Sequence, residues 1–112
     1  MAANMKCELL EETADLFKAL GDVTRMRLVY ILASGEVEKI SVTGLAKMMG
    51  ITQPAASQHL KTLKTAKIVR SRKEGNHIYY TFNRDAMLKH KERVDYLFGC
   101  VFDKCDQLEK EG

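Results

Sequence analysis

The apolar residues near the start of the chain recur at steps of three and four, which predicts one face of a helix. Between Glu8 and Leu20 these positions are Leu9, Leu10, Thr13, Leu16, Phe17 and Leu20. Gly21 then ends the helix at the position that favours a left-handed cap. Asp22 is a good N-cap for a second helix, which Ser34-Gly35 closes. The apolar positions of that second helix are dense enough to predict that most are buried: Met26, Leu28, Val29, Ile31 and Leu32.

Two short helices are predicted after a charged link at residues 36–39. The first starts at Ser41 or Thr43, carries Leu45, Ala46, Met48 and Met49, and stops at Gly50. The second is capped by Thr52 and has Pro54 in its first turn, where a missing N–H costs nothing. Its inward face is predicted from the i, i+4, i+7 spacing of Ala56, Leu60 and Leu63. Its opposite face is small and polar, and consists of Pro54, Ser57, Gln58 and Lys61.

The hydrophobic period then changes from that of a helix to that of a strand. Residues 68–72 and 77–82 are rich in β-branched and aromatic side chains, and the turn sequence at residues 73–76 contains Gly75. They predict a β-hairpin with a basic first strand, in which only one of Tyr79 and Tyr80 can face the core. A long helix follows from about Asp85 to Glu109, with an apolar stripe at Met87, Val94, Leu97, Phe98, Val101, Phe102, Cys105 and Leu108.

The order α-α-α-α-β-β-α predicts a mainly α-helical winged helix-turn-helix with one small β-hairpin. We expect residues 1–112 to form a single such DNA-binding domain, because a chain of 112 residues has room for one core. Composition agrees, with 46% hydrophobic and 29% charged residues. An enzyme is not expected, because the chain has no Gly-rich phosphate loop, nucleophile elbow or paired carboxylates at a plausible cleft.

The net charge of +3 is unevenly distributed along the chain. Residues 1–22 and residues 94–112 are both acidic. Between them, residues 51–80 carry a single acid, Glu74, against six cations: Lys61, Lys64, Lys67, Arg70, Arg72 and Lys73. Such a cluster is the footprint of a phosphate-binding surface, but charge alone leaves a merely solvated face equally open.

The three cysteines, Cys7, Cys100 and Cys105, are an odd number without the spacing of a disulfide framework. The start of the chain has no secretory hydrophobic region, and no membrane segment is evident, so we expect a cytoplasmic protein. In a reducing compartment the cysteines indicate free thiols, metal ligands or redox chemistry rather than structural disulfides.

Several linked motifs resemble the ArsR/SmtB family of transcriptional repressors. They are Leu16-Phe-Lys-Ala-Leu-Gly-Asp22, Thr24-Arg25, Ile51-Thr-Gln-Pro-Ala-Ala-Ser-Gln-His-Leu60 and Glu74-Gly-Asn-His-Ile-Tyr-Tyr80. The resemblance covers residues 9–82. It implies a homodimer, paired through its first and last helices, that leaves its double-stranded DNA operator when a small inorganic inducer binds.

The resemblance also implies which residues touch DNA. The recognition-helix positions are Gln53, Pro54, Ala55, Ser57, Gln58, His59 and Lys61. Gln58 suits an adenine edge and Ser57 suits either base, whereas Lys61 suits a phosphate. For His59 two alternatives stay open, a DNA contact or packing at the helix edge. The wing residues expected at the backbone or minor groove are Arg70, Arg72, Lys73, Asn76 and His77.

The metal-binding motifs of the family are replaced in this chain. Ser41 and Thr43 stand where many members have Cys-x-Cys, and hydroxyls cannot replace thiolates for a soft ion. The positions of the zinc ligands on the last helix align with Arg84, Ala86, Leu97 and Cys100, and the cation at Arg84 argues against that site. The candidate metal ligands that remain are Cys7, Cys100 and Cys105, of which Cys7 could meet either of the others across the helix pair.

Three thiolates without a fourth ligand suit As(III), Cd(II) or Pb(II) better than tetrahedral zinc. Along a helix, five residues turn a side chain by about 140° and advance it about 7.5 Å, so Cys100 and Cys105 point apart unless the last turns fray. Three alternatives stay open: a soft-metal or metalloid sensor, a redox or reactive-sulfur switch, and structural cysteines with another inducer. His90 and Asp103 are conceivable further ligands but are expected on the solvated face. A DNA-binding architectural module without an inducer is the remaining alternative.

Overall fold

The computed structural model describes the backbone of residues 2–35 and 40–111, and the side chains of residues 8–35, 40–105 and 108. Five helices are present in this part of the chain: α1 (Ala2–Leu20), α2 (Val23–Ala33), α3 (Val42–Met49), α4 (Gln53–Thr65) and α5 (Arg84–Glu111). Three strands, β1 (Ile40–Ser41), β2 (Val69–Glu74) and β3 (His77–Phe82), form an antiparallel sheet in the order β1-β3-β2. No helix within the described ranges is long and apolar enough to cross a membrane.

The helix boundaries follow from local capping chemistry. The side chains of Asp22, Ser41 and Thr52 each accept a hydrogen bond from a backbone N–H in the first turn of α2, α3 and α4. Gly50 ends α3 in the left-handed conformation, at φ 66°. These elements match the sequence prediction, and the charged link at residues 36–39 lies outside the described residues.

Left-handed backbone is absent at Gly21, where the sequence predicts it, and is present at Lys67, where the sequence does not. Helix α1 ends directly before Gly21, as predicted, but Gly21 is not left-handed, so the predicted left-handed cap is wrong. A Cβ at Gly21 would lie 3.0 Å from the carbonyl oxygen of Phe17. Lys67, after α4, is instead left-handed at φ 62°. The N–H of Ile68 bonds to the carbonyl of Leu63 across this turn, as in a Schellman cap.

The wing is a two-residue hairpin. Glu74 pairs with His77, so Gly75 and Asn76 form the turn, with Gly75 at φ 60°. Residues Ile40 and Ser41 add a third strand by pairing with Tyr80 and Tyr79, which the sequence did not predict. Tyr80 is buried and Tyr79 only half-buried, as strand alternation required.

The core lies where α2, α3 and α4 meet the sheet, and its fully buried side chains are Leu28, Leu45, Leu60, Leu63, Ile68 and Val69. Helix α2 is less buried than its apolar density predicted. Leu28 and Leu32 are buried, but Met26 is 57% exposed. The core therefore fixes α4 against α2 and α3 by one face and leaves its other face outside.

Candidate nucleic-acid interface

Helix α4 divides sharply into a buried face and an exposed face. Ala56, Leu60 and Leu63 have no exposed surface. The opposite face is exposed at Gln53, Pro54, Ser57, Gln58 and Lys61. Because the Thr52 cap and Pro54 fix the start of the helix, Gln53, Ser57 and Gln58 lie in its first two turns, the part of a recognition helix that meets base edges, and Lys61 lies one turn further on.

The flank of α4 carries Ala55 and His59, both half-buried. The Nη1 atom of Arg25 lies 3.3 Å from Nδ1 of His59. One ring nitrogen of His59 therefore contacts a neighbouring helix, as the packing alternative requires. The imidazole is also partly exposed, so a DNA contact stays open.

The predicted wing residues all have exposed side chains, but they lie at different heights on the hairpin. Lys73, Asn76 and His77 surround the tip. Arg72 lies one step from the tip, and its Nε atom is 3.6 Å from a carboxylate oxygen of Glu74. Arg70 is nearer the base, opposite Thr81, and its guanidinium is 3.9 Å from Asp85 at the start of α5.

Arg70 also lines a charged cavity of about 380 Å³ between α1, the end of α4, β2 and the start of α5. His90 lies in the wall of this cavity and is 9% exposed, so the expectation that it lies on the solvated face is wrong. Its Nε2 atom is 3.2 Å from the carbonyl oxygen of Ala66, and its Nδ1 is buried without a hydrogen-bond partner. Asp103 is exposed, as expected.

The cysteines are only partly described. Cys100 is half-buried and Cys105 is exposed on the continuous helix α5, while the side chain of Cys7 lies outside the described residues. Cys100 lines an apolar groove of about 200 Å³ between α1 and α5, with Leu9, Leu10, Tyr96, Leu97, Val101 and Lys104. Among the side chains that are described, no three acidic, histidine or cysteine groups are placed to hold a metal ion together.

The family model for "Bacterial regulatory protein, arsR family" matches residues 22–71, from the cap of α2 into the wing. The chain is 31% identical to a transcriptional repressor SmtB homolog of Synechocystis, over 83% of this chain and 69% of that protein. The chain belongs to the ArsR family. It is also 37% identical to the uncharacterized HTH-type transcriptional regulator MJ1325 of Methanocaldococcus jannaschii, over 80% of this chain and 99% of that protein.

Two further relatives widen the comparison within the ArsR family. A cadmium resistance transcriptional regulatory protein CadC homolog of Staphylococcus aureus is 37% identical, over 74% of this chain and 67% of that protein. The regulator KmtR of Mycobacterium tuberculosis is 37% identical over 63% of this chain, which spans about half of KmtR (52%). The family and these relatives are transcription regulators and not enzymes, so this ArsR-family chain is a DNA-binding transcriptional regulator.

Solved structures agree on the winged helix-turn-helix. An ArsR-like transcriptional regulator from Rhodococcus matches with a TM-score of 0.75 and 26% identity, over 91% of this chain and 92% of that one. The homodimeric winged helix-turn-helix domain Mb0332 of Mycobacterium bovis matches with a TM-score of 0.65 and 30% identity, over 88% and 85% of the two chains. The predicted fold class is thereby confirmed, with β1 added to the hairpin.

No sequence pattern predicts the contact between Arg25 and His59, because the two residues are 34 positions apart. Arg25 is recognisable from the sequence only as part of the Thr24-Arg25 motif. The burial of His90 was missed for the same reason, since its partner Ala66 lies 24 positions away.

Proposed function

We propose that this ArsR-family chain is a repressor that reads its operator with the exposed face of α4 and holds the DNA backbone with its wing. The observation that carries the proposal is the division of α4. Its inward residues are fully buried, so the helix is fixed, while Ser57, Gln58 and Lys61 are free to approach another surface. Gln58 would pair with an adenine edge, Ser57 with either base and Lys61 with phosphate.

The supporting contacts would come from the start of α4 and from the wing. Gln53, Pro54 and Ala55 lie at the helix start, where the small side chains of Pro54 and Ala55 would permit a close approach to the groove. Around the tip, Arg72, Lys73, Asn76 and His77 would contact the backbone or minor groove. Arg70 would reach phosphate only by leaving Asp85, and its place near the hairpin base makes it the most peripheral of these contacts.

The operator complex would be a homodimer paired through α1 and α5. Large apolar side chains of these two helices are exposed in the single chain, namely Leu10, Phe17, Tyr96, Phe98, Val101, Phe102 and Leu108. Large apolar side chains left exposed together on neighbouring helices are typical of a protein interface. The homodimeric relative Mb0332 supports a second copy of this chain as the partner.

The inducer would act at cysteine thiols beside the dimer surface. Cys100 supports this proposal, because it opens into the groove between α1 and α5 and a group bound there would separate the two helices. With Cys7 and, where the last turns of α5 unwind, Cys105, three thiolates would suit As(III), Cd(II) or Pb(II), and the cadmium-resistance relative supports a soft ion. Oxidation or persulfide formation at the same thiols is the second candidate, because Cys105 is exposed to small oxidants.

Selection of binding sites from a random pool of duplex DNA tests the DNA-reading proposal. A dimeric repressor would enrich an inverted repeat whose half-sites are about 10 base pairs apart, and footprinting would protect both halves. Enrichment of no common sequence, together with uniform protection, would identify an architectural DNA-binding module instead.

Cys-to-Ser variants test the sensor. Operator binding of the wild type, the three single variants and the triple variant should be measured with As(III), Cd(II), Zn(II), peroxide and persulfide. Either the soft ions As(III) and Cd(II), or peroxide and persulfide, are expected to release the wild-type protein from the operator and to leave the triple variant bound. If the triple variant responds as the wild type does, the thiol proposal is lost.

A further inference from the structure

The side chain of Arg25 joins three helices through one guanidinium group. From its position in the first turn of α2, its Nε donates to the carbonyl of Ala19 and its Nη2 to the carbonyl of Lys18 at 3.2 Å, both in the last turn of α1. Its Nη1 lies 3.3 Å from Nδ1 of His59 on α4. The two carbonyls hold the planar group in place, so its third donor points at the imidazole from a fixed position.

This contact determines which nitrogen of His59 carries the proton. A guanidinium has only donors and stays charged in proteins, so Nδ1 of His59 must be the acceptor. The neutral ring then carries its hydrogen on Nε2. Nε2 of His59 has no hydrogen-bond partner among the described residues. If this atom were buried, it would be a buried nitrogen without a partner, and the described residues contain only one such side-chain atom, Nδ1 of His90. Nε2 of His59 therefore reaches solvent.

His59 follows Gln58 on the flank of the proposed DNA-reading face and is partly exposed, so its Nε2–H is open to solvent on that side of α4. DNA offers acceptors there, phosphate oxygens and the N7 and O6 atoms of purines. In the opposite tautomer, a lone pair on Nε2 would face those acceptors and would repel them.

We propose that Arg25 is a positioning residue for DNA recognition, which holds His59 in the Nε2–H tautomer so that the imidazole donates a hydrogen bond to DNA. The inference rests on the proposed function of α4 as the recognition helix. Arg25 itself need not touch DNA, because two of its donors are already used on the end of α1. Its effect on affinity passes through the ring of His59.

Nitrogen chemical shifts of His59 in the free protein test the first half of the inference. The wild type is expected to show a protonated Nε2 and an unprotonated Nδ1, and Arg25→Ala is expected to show a mixture of tautomers. Arg27→Ala is the matched control, since Arg27 lies on the same helix, is exposed and carries the same charge. A protonated Nδ1 in the wild type at neutral pH would overturn the inference whatever the DNA affinity.

A double-mutant cycle on the selected operator tests the second half. His59→Gln places an amide donor near the position of Nε2 without the acceptor that Arg25 uses, so it should bind DNA nearly as the wild type does. His59→Asn lacks the outer donor and should bind about tenfold more weakly, the effect of one lost hydrogen bond to a charged group. Arg25→Ala should cost about tenfold in the wild-type background and much less in His59→Gln.

The outcomes separate the inference from the proposed function. If Arg25→Ala costs the same factor in both backgrounds, Arg25 acts only through packing of α1 and α2, and the inference is overturned. Should Arg25→Ala fail to fold, equal binding by His59→Gln and His59→Asn would overturn it independently. Absence of any sequence-specific binding by the wild type would overturn the proposed function and this inference with it, whereas the wrong tautomer in a protein that binds its operator overturns the inference alone.

Discussion

The salt dependence of DNA binding measures whether Arg72 holds a phosphate. The side chain is 81% exposed, and its Nε atom lies 3.6 Å from a carboxylate oxygen of Glu74. An exposed pair of this kind contributes about 0–1 kcal/mol, so the guanidinium can exchange Glu74 for a phosphate at little cost. Each phosphate neutralised adds about 0.9 to the slope of log affinity against log salt. Arg72→Ala should therefore lower the slope by about 0.9 per wing.

The assay is operator binding by fluorescence anisotropy between 50 and 200 mM salt. Over this fourfold range, one phosphate contact corresponds to about a 3.5-fold change in affinity. Lys91→Ala is the control, because Lys91 is also exposed and ion-paired, to Asp95 at 2.8 Å, but lies on α5. Gln58→Ala should leave the slope unchanged and relax sequence preference. Equal slopes for Arg72→Ala and the wild type would refute a phosphate contact at Arg72.

Three further predictions concern stability and assembly. Gly50→Ala should destabilise the fold by about 1–2 kcal/mol, the cost of left-handed backbone for a residue with a Cβ, and Lys67→Gly should stabilise it by relieving a similar strain. Chemical denaturation measures both free energies of unfolding, and a change of the same sign in the two variants would contradict the argument. The pKa of the Asp22 carboxyl group is lowered, first by the hydrogen bond from the backbone N–H of Arg25 and then by the charge of Arg25. The carboxylate therefore contributes its full stability above the ordinary pKa of 3.8, and this stability is lost as the pH falls through the lower pKa of the folded state. Asp22→Asn should therefore show a smaller loss of stability than the wild type in acid titrations of unfolding. Phe102→Glu should yield monomers in sedimentation with an unchanged helical spectrum, since Phe102 is 65% exposed in the single chain; a stable dimer would place the interface elsewhere.

The elements that the sequence predicted well are those fixed by neighbours in the chain. The cap at Thr52, the inward stripe of Ala56, Leu60 and Leu63, and the turn at Gly75 all depend on residues within a few positions. Such interactions leave a periodic or compositional signal. The exposed face of α4 followed directly, because one face of a helix is exposed when the other is fixed in the core.

The features that the sequence did not predict depend on distant parts of the chain. Strand β1 has only two residues, too few for an alternating pattern, and exists because Tyr79 and Tyr80 pair with it. Met26 belongs to a dense apolar run but is 57% exposed, because the face of α2 that meets the core is the one that carries Leu28 and Leu32. The same limit applies to the site. The Arg25 guanidinium reaches His59 only because α2 and α4 pack together, and no spacing in the sequence encodes that distance.

The geometry of α5 also restricts how a thiol sensor can be built. Because the helix is continuous through Cys100 and Cys105, their side chains are separated by about 140° around the axis and about 7.5 Å along it. A single ion cannot bind both sulfur atoms at thiolate distances without unwinding the helix. Cys100 faces the groove beside Leu9 and Leu10, so a second thiolate for an ion bound at Cys100 must come from α1 or from another chain. In the proposed sensor, an ion held in this way would bridge two helices, and the bridge would let a small inducer change the packing of α1 against α5. The Cys7→Ser and Cys100→Ser variants should then lose the response together, while Cys105→Ser loses it only if α5 unwinds when the inducer binds.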